Sequence, residues 1–185
     1  MDITEYWVTD SLRLYTHVIM DNFSRKLMGC KIGITKSDSL ALDNLKDVYT
    51  RFRLHLHSES IIIMSDGGGE NFGKTKHFIA SKKNLQQHIA LRNKKDCCNN
   101  MVEALIRKIK ECFLYDNSFS SVDDFEKHIL SAINSYNSTM PLAATGGRTP
   151  DEAFNGINPF PEKLDIRIQN SRTLRFRENV KGHCW

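Results

Sequence analysis

Three carboxylates in this chain stand where their surroundings could do chemistry. Glu103 lies in the stretch Asn99-Asn100-Met101-Val102-Glu103-Ala104-Leu105-Ile106-Arg107-Lys108-Ile109-Lys110. Val102, Leu105, Ile106, Ile109 and Phe113 recur there at helical spacing and make one apolar stripe facing a core. Glu103, Arg107 and Lys110 fall at i, i+4 and i+7, on one adjacent polar face. An ordinary Glu–Arg pair on a solvated helix face has the same pattern. Asp66 follows the apolar run Ser60-Ile61-Ile62-Ile63-Met64-Ser65 and precedes Gly67-Gly68-Gly69. An acid at the carboxyl end of a strand buried on both faces sits where α/β folds place ligands. A capping Asp in a strand-to-helix turn looks the same locally. Asp2 opens a third such place, at the first residue of the β-forming segment Ile3-Thr4-Glu5-Tyr6-Trp7-Val8.

Acids gather in one place only with a counter-charge, because like charges at close range raise each other's pKa. Magnesium supplies that charge. It prefers hard oxygen ligands in octahedral geometry and keeps positions open for water and phosphate. Two such ions, about 3.5–4 Å apart, activate an attacking oxygen and stabilise a leaving one in an in-line displacement at phosphorus.

The elements that must position these acids read in order. Strands are expected over Asp2–Val8, Leu12–Asp21 and Lys26–Ile34, joined by short turns into an antiparallel meander. Ser37-Asp38-Ser39 caps a helix running to Phe52. The Ser60–Ser65 strand follows, then a helix over Lys74–Lys82, a short strand over Leu85–Ala90 and the lysine-rich loop Arg92–Asp96 that leads into the Glu103 helix. Ser121-Val122-Asp123-Asp124 caps another helix. Thr149-Pro150-Asp151-Glu152 starts a short one, with Thr as cap, Pro at the first helical position and acids in the first turn. Beyond Pro159 and Pro161, Asp165–Ile168 and Thr173–Arg177 alternate at period two around Gln169-Asn170-Ser171, which suggests a basic hairpin. In this order the first and fourth strands lie side by side and the Glu103 helix crosses their ends, so Asp2, Asp66 and Glu103 converge.

Composition bounds the rest. The chain has 185 residues, 40% hydrophobic and 26% charged, close to a soluble globular average and enough for one domain with an appendage. No apolar run approaches the roughly 20 residues of a membrane span, and Met-Asp-Ile-Thr-Glu-Tyr is not a signal peptide. The five cysteines include no C-x-x-C pair and read as free thiols in a reducing cytoplasm, with no zinc site. From Lys163 onward six basic residues face two acids, so the tail carries the whole net charge of +4. A neutral body with a basic tail fits a polyanionic partner.

Several motifs together resemble a known family. Asp2-Ile3-Thr4, Val18 to Gly29 (Val-Ile-Met-Asp-Asn-Phe-Ser-Arg-Lys-Leu-Met-Gly), Ser65-Asp66-Gly67-Gly68 and Asn99 to Glu103 resemble successive motifs of the retroviral-type integrase catalytic core, the DDE transposase/integrase superfamily. Tyr136-Asn137, Pro141, Gly146-Gly147 and Arg148-Thr149-Pro150-Asp151-Glu152-Ala153-Phe154 resemble its carboxyl-terminal signature, and the match looks closest to bacterial insertion-sequence transposases. The resemblance spans residues 2–156. It implies an α/β, ribonuclease H-like fold, a five-stranded mixed sheet flanked by helices, with the core over residues 1–157 and a basic extension over 158–185. It implies that Asp2, Asp66 and Glu103 are catalytic and bind two magnesium ions, with manganese able to substitute. It places Arg107 and Lys110 on DNA phosphates, Asn99 facing the site, and Lys94 and Lys95 in a loop closing over the DNA. It further implies DNA and a second copy of the chain as partners, in a prokaryotic cytoplasm at the nucleoid.

Some positions depart from the family's pattern. Thirty-six residues separate Asp66 from Glu103, one more than is usual, and the Arg92–Asp96 loop can absorb the extra one. Three glycines follow Asp66 where the family usually carries an Arg or Asn before its glycine, and Leu142 stands where a histidine is often found. Asp21 reads as a turn acid outside the site, and Glu70 as an alternative metal ligand. The chain starts one residue before Asp2, as in a truncated chain. The expected activity is DNA 3′-end processing and strand transfer. The alternatives are a metal-dependent nuclease on the same fold, and a truncated remnant that only dimerises and binds DNA.

Overall fold

A computed structural model describes residues 1–9, 12–52, 60–69, 73–90, 100–157, 166 and 168–173. The elements are β1 (Asp2–Thr9), β2 (Leu12–Met20), β3 (Leu27–Gly33), α1 (Asp38–Phe52), β4 (Ile61–Ser65), α2 (Lys74–Ala80), β5 (Leu85–Ile89), α3 (Asn100–Ile109), α4 (Val122–Thr139) and α5 (Pro150–Phe154). A π-helical turn, Lys110–Leu114, continues α3, and a 3-10 turn, Ala143–Thr145, precedes α5. The described residues divide into two compact units, 1–20 with 27–132, and 21–26 with 133 onward.

In the first unit β1 and β2 pair antiparallel with Asp2 opposite Val18 and Tyr6 opposite Leu14, and β2 pairs antiparallel with β3. β4 and β5 run parallel, Ile61 beside Leu85 and Ser65 beside Ile89. Among the described residues these are a three-stranded and a two-stranded sheet, and not the five-stranded sheet expected. The two are linked where the Met1 ammonium donates to the Met64 carbonyl (2.6 Å). Met1 precedes β1 and Met64 is one residue short of the end of β4, so this contact falls at strand ends, and one such bond is not a ladder.

Each sheet is dressed by helices whose apolar stripes match the sequence. α1 buries Ala41, Leu45 and Val48 against β2 and β3. Its fully buried Asn44 donates to the His17 carbonyl (2.8 Å) and faces His17 Nδ1 (2.9 Å). Gly29 permits this closeness, since a Cβ there would stand 2.4 Å from Asn44 Oδ1 and 2.5 Å from Val48 Cγ2. Asp38 at the start of α1 caps α2, accepting from the Thr75 amide (3.0 Å) and hydroxyl (2.8 Å) and from the Lys74 amide. α3 packs on β1 and β2, burying Val102, Leu105, Ile106 and Ile109. Tyr6, Phe119 and Phe125 complete that side, with Tyr6 stacked on Phe125 at 5.1 Å and Phe119 edge-on to Phe125 at 5.1 Å. β4 corrects a second expectation. Its burial alternates, with Ile62 62% and Met64 38% exposed, so it is not buried on both faces.

In the second unit Asp21 closes its turn by accepting from the Ser24 amide (2.7 Å) and hydroxyl (2.6 Å). Tyr136 donates to the Arg25 carbonyl (3.1 Å), and Lys26 pairs with Asp151 (2.9 Å). α5 starts as its sequence predicts: Thr149 and Glu152 form a reciprocal capping box with Pro150 in the first turn. The expected hairpin is not formed at its centre. Residues 168–173 are helical, with the Thr173 hydroxyl donating to the Gln169 carbonyl one turn back (2.9 Å). Alternation over four residues is too short to choose a strand over a helix. The remaining hairpin residues, and Cys97, Cys98 and Cys184, lie outside the described residues; Cys30 and Cys112 are free thiols.

Candidate active site

β1 carries Asp2, Thr4 and Tyr6 on one face, by the two-residue period of a strand. The Asp2 carboxylate accepts from the Ile3 amide (2.8 Å). Asp66 sits directly after β4, half-buried, and its Oδ1 accepts from the Gly68 amide (3.2 Å), an Asx-type turn that aims the chain away from the strand. Glu103 is exposed in the first turn of α3.

The structure perturbs the ionisation of Asp2. Burial pushes the Asp2 carboxyl up to about 6; the charges of Asp66 and Glu103 push the same way, while the Ile3 amide and the Met1 ammonium oppose them. The Met1 ammonium is itself lowered to about 6 by burial, against the pull of Asp2 and Asp66. Asp2 follows Met1, whose ammonium donates to the Met64 carbonyl two residues before Asp66, and Glu103 of α3 lines one groove with Asp2.

A groove of about 250 Å³ opens along α3 and β1, lined by Asp2, Ile3, Thr4, Glu103, Ile106, Arg107, Lys110 and Tyr115. It carries carboxylates from both elements beside two cationic side chains. Lys110 is oriented by β1, its ammonium donating to the Glu5 carbonyl (2.7 Å). Burial lowers the Lys110 pKa and the Glu5 charge partly restores it.

Asp2, Glu103, Arg107 and Lys110 thus share one groove, and Asp66 does not line it. Among the described residues no three His, Cys, Asp or Glu side chains are grouped closely enough to hold a metal ion. Asn99, Lys94, Lys95 and Glu70 lie outside the described residues. Tyr115 is the lining residue that α-helical periodicity misses. Its amide donates to the Lys110 carbonyl five residues back (3.0 Å), a widened turn that a 3.6-residue period does not register.

Solved structures match this arrangement of elements. The HTLV-2 integrase catalytic core domain in complex with magnesium superposes with a TM-score of 0.60 at 16% identity, over 83% of this chain and 92% of that one. The fold is that of an integrase catalytic core. The BIV integrase catalytic core domain gives a TM-score of 0.56 at 13% identity, over 84% and 92% of the two chains. A chain of the simian T-cell lymphotropic virus intasome in complex with PP2A regulatory subunit B56 gamma gives 0.65 at 20% identity, and this chain spans 55% of its length. No family model and no curated protein matches the sequence. The integrase-core fold is thus recovered at identities of 20% or less, while among the described residues no helix is long and apolar enough to cross a membrane.

Proposed function

We propose that residues 1–157 are a DNA integrase or transposase core that performs 3′-end processing and strand transfer, with residues 158–185 as a basic extension. The observation that carries this reading is the groove in which half-buried Asp2 and exposed Glu103 stand beside Arg107 and Lys110, within a fold of integrase-core type.

The donor chemistry fits a divalent cation. Three carboxylates are hard oxygen ligands, and Asp2 is held toward its neutral form by burial first and then by its acidic neighbours. Asp2, Asp66 and Glu103 would hold the ions, drawing together from their present spacing. Two bound magnesium or manganese ions supply activation of an attacking oxygen and stabilisation of a leaving one at phosphorus. The chain's own part is to bind and orient. Arg107 and Lys110 face the groove and receive backbone phosphates, Lys110 with its ammonium fixed by the Glu5 carbonyl. Lys94, Lys95 and Asn99 are proposed to join them. Phosphate contacts of this kind hold DNA without reading its sequence.

The carboxyl-terminal motif Tyr136-Asn137 through Arg148-Thr149-Pro150 supports kinship with bacterial insertion-sequence transposases, and with it action on the nucleoid of a prokaryotic cytoplasm. The HTLV-2 core is described in both a dimeric and a trimeric form; a homodimer is proposed here.

The test is cleavage and joining of a labelled, pre-branched DNA with magnesium or manganese, comparing this chain with Glu103→Gln. Joining that disappears in the variant supports the reading. Cutting without joining would mark a nuclease, and neither activity from a folded chain would leave a DNA-binding remnant.

A further inference from the structure

We propose that Tyr115 is a stacking platform for an unpaired DNA base, placed along the groove from the carboxylates. The inference rests on the function proposed above and adds the form of the substrate: a strand that is single or frayed near its reacting end.

The π turn is what puts Tyr115 there. In an unbroken α-helix a residue twelve positions after Glu103 would project about 120° round the axis from it. A turn closed over five residues is wider and advances each residue by a smaller angle. The Tyr115 amide makes such a bond, to the Lys110 carbonyl at 3.0 Å. The turn therefore rotates Tyr115 back toward the face of Glu103, Arg107 and Lys110, and all four line one groove. Two other bonds stabilise this wider turn. The Leu114 carbonyl accepts from the Tyr6 hydroxyl (2.9 Å) and the Phe113 carbonyl is met by His128 Nε2 (2.7 Å).

The ring is otherwise poorly placed for a structural role. Tyr115 is 61% exposed, whereas Tyr136 is 2% exposed and bonded through its hydroxyl. Glu103 and Tyr115 are separated by roughly 18 Å along the helix axis. A strand whose phosphate lies at the carboxylates and whose backbone follows Arg107 and Lys110 arrives at Tyr115 with a neighbouring base, not the reacting one. That base reaches a ring only when it is unpaired. Stacking on an aromatic face tolerates every base, since each has a π-face, which suits a groove whose cations hold the backbone.

The experiment measures binding in EDTA, so that it does not depend on metal or turnover. Duplex DNA carrying a short 3′ overhang with 2-aminopurine is compared with the blunt duplex, using the full chain, Tyr115→Ala and Tyr115→Phe. The full chain and Tyr115→Phe are expected to quench the fluorophore, and Tyr115→Ala to lose about fivefold or more in affinity for the overhang alone. Equal affinity and quenching by Tyr115→Ala would overturn the proposal, and so would an equal loss on the blunt duplex. A chain that stacks the overhang but neither cuts nor joins DNA with magnesium supports the platform and refutes the transferase.

Discussion

The Lys110 ammonium reaches across from the end of α3 to the Glu5 carbonyl of β1, at 2.7 Å. This bond ties the helix bearing Glu103 to the strand bearing Asp2 and points a charge into their common groove. Lys110→Met keeps most of the apolar stem and removes the charge. Its DNA affinity should fall at every sequence tested, and the slope of log K against log salt should shrink by about 1. Binding titrations at several salt concentrations check both, and an unchanged slope would remove Lys110 from the phosphate contacts.

Divalent metal should stabilise the fold. A ligand present at 100 times its dissociation constant contributes about 2.7 kcal/mol, a rise in Tm of several degrees for a chain of this size. Thermal unfolding with and without magnesium reads this directly. Asp66→Asn and Glu103→Gln should each abolish most of the rise while leaving the metal-free Tm within about 1–2 degrees, because Glu103 is exposed and Asp66 half-buried.

Half-buried Asp2 and buried His17 should give stability opposite dependences on pH. Burial holds the Asp2 carboxyl at about 6, above its unfolded value, so the folded state holds the extra proton and stability falls as pH rises from about 4 to 6. Burial, with the Met1 ammonium adding to it, lowers His17 to about 3. Its unfolded form therefore takes the proton first, and stability falls as pH drops from 6.5 toward 3. Asn44 enforces this by presenting its Nδ2 to His17 Nδ1, which then must accept. Metal-free unfolding of Asp2→Asn should rise more steeply with pH between 4 and 6 than the parent chain. His17→Gln should reverse that slope. Parallel curves for all three would contradict the assignment.

Asp38 holds the start of α2 to the start of α1. Its loss leaves the Lys74 and Thr75 amides and the Thr75 hydroxyl without the acceptor they share. Asp38→Ala should cost about 1–2 kcal/mol, as for other lost helix caps, measured by urea unfolding. Gly73→Ala should also destabilise, since its Cβ would stand 2.6 Å from Asp38 Oδ2. Hydrogen exchange should show α2 opening first in both.

What could be read from the chain was local. The extent of α1, the Thr149–Glu152 capping box, the α3 stripe and the Asp21 turn depend on residues within a few positions of one another, and each appears in the structure. The likeness of spaced acidic motifs pointed to the integrase-core fold that the solved structures share. Other features were decided by contacts distant in sequence. Whether Ile62 and Met64 are covered depends on what packs on β4, and the structure leaves both exposed. Whether Asp2 titrates at about 6 depends on burial, and on the charges of acids 64 and 101 positions away. The orientation of Tyr115 depends on a helix that widens between Lys110 and Leu114, where Tyr6 from β1 and His128 from α4 meet the carbonyls of that turn. A residue's type and spacing set which helix or strand it prefers, because those preferences act over one or two turns of chain. Its burial, its charge and the direction of its ring belong to the packed structure, because desolvation and long-range hydrogen bonds exist only once distant segments are brought together.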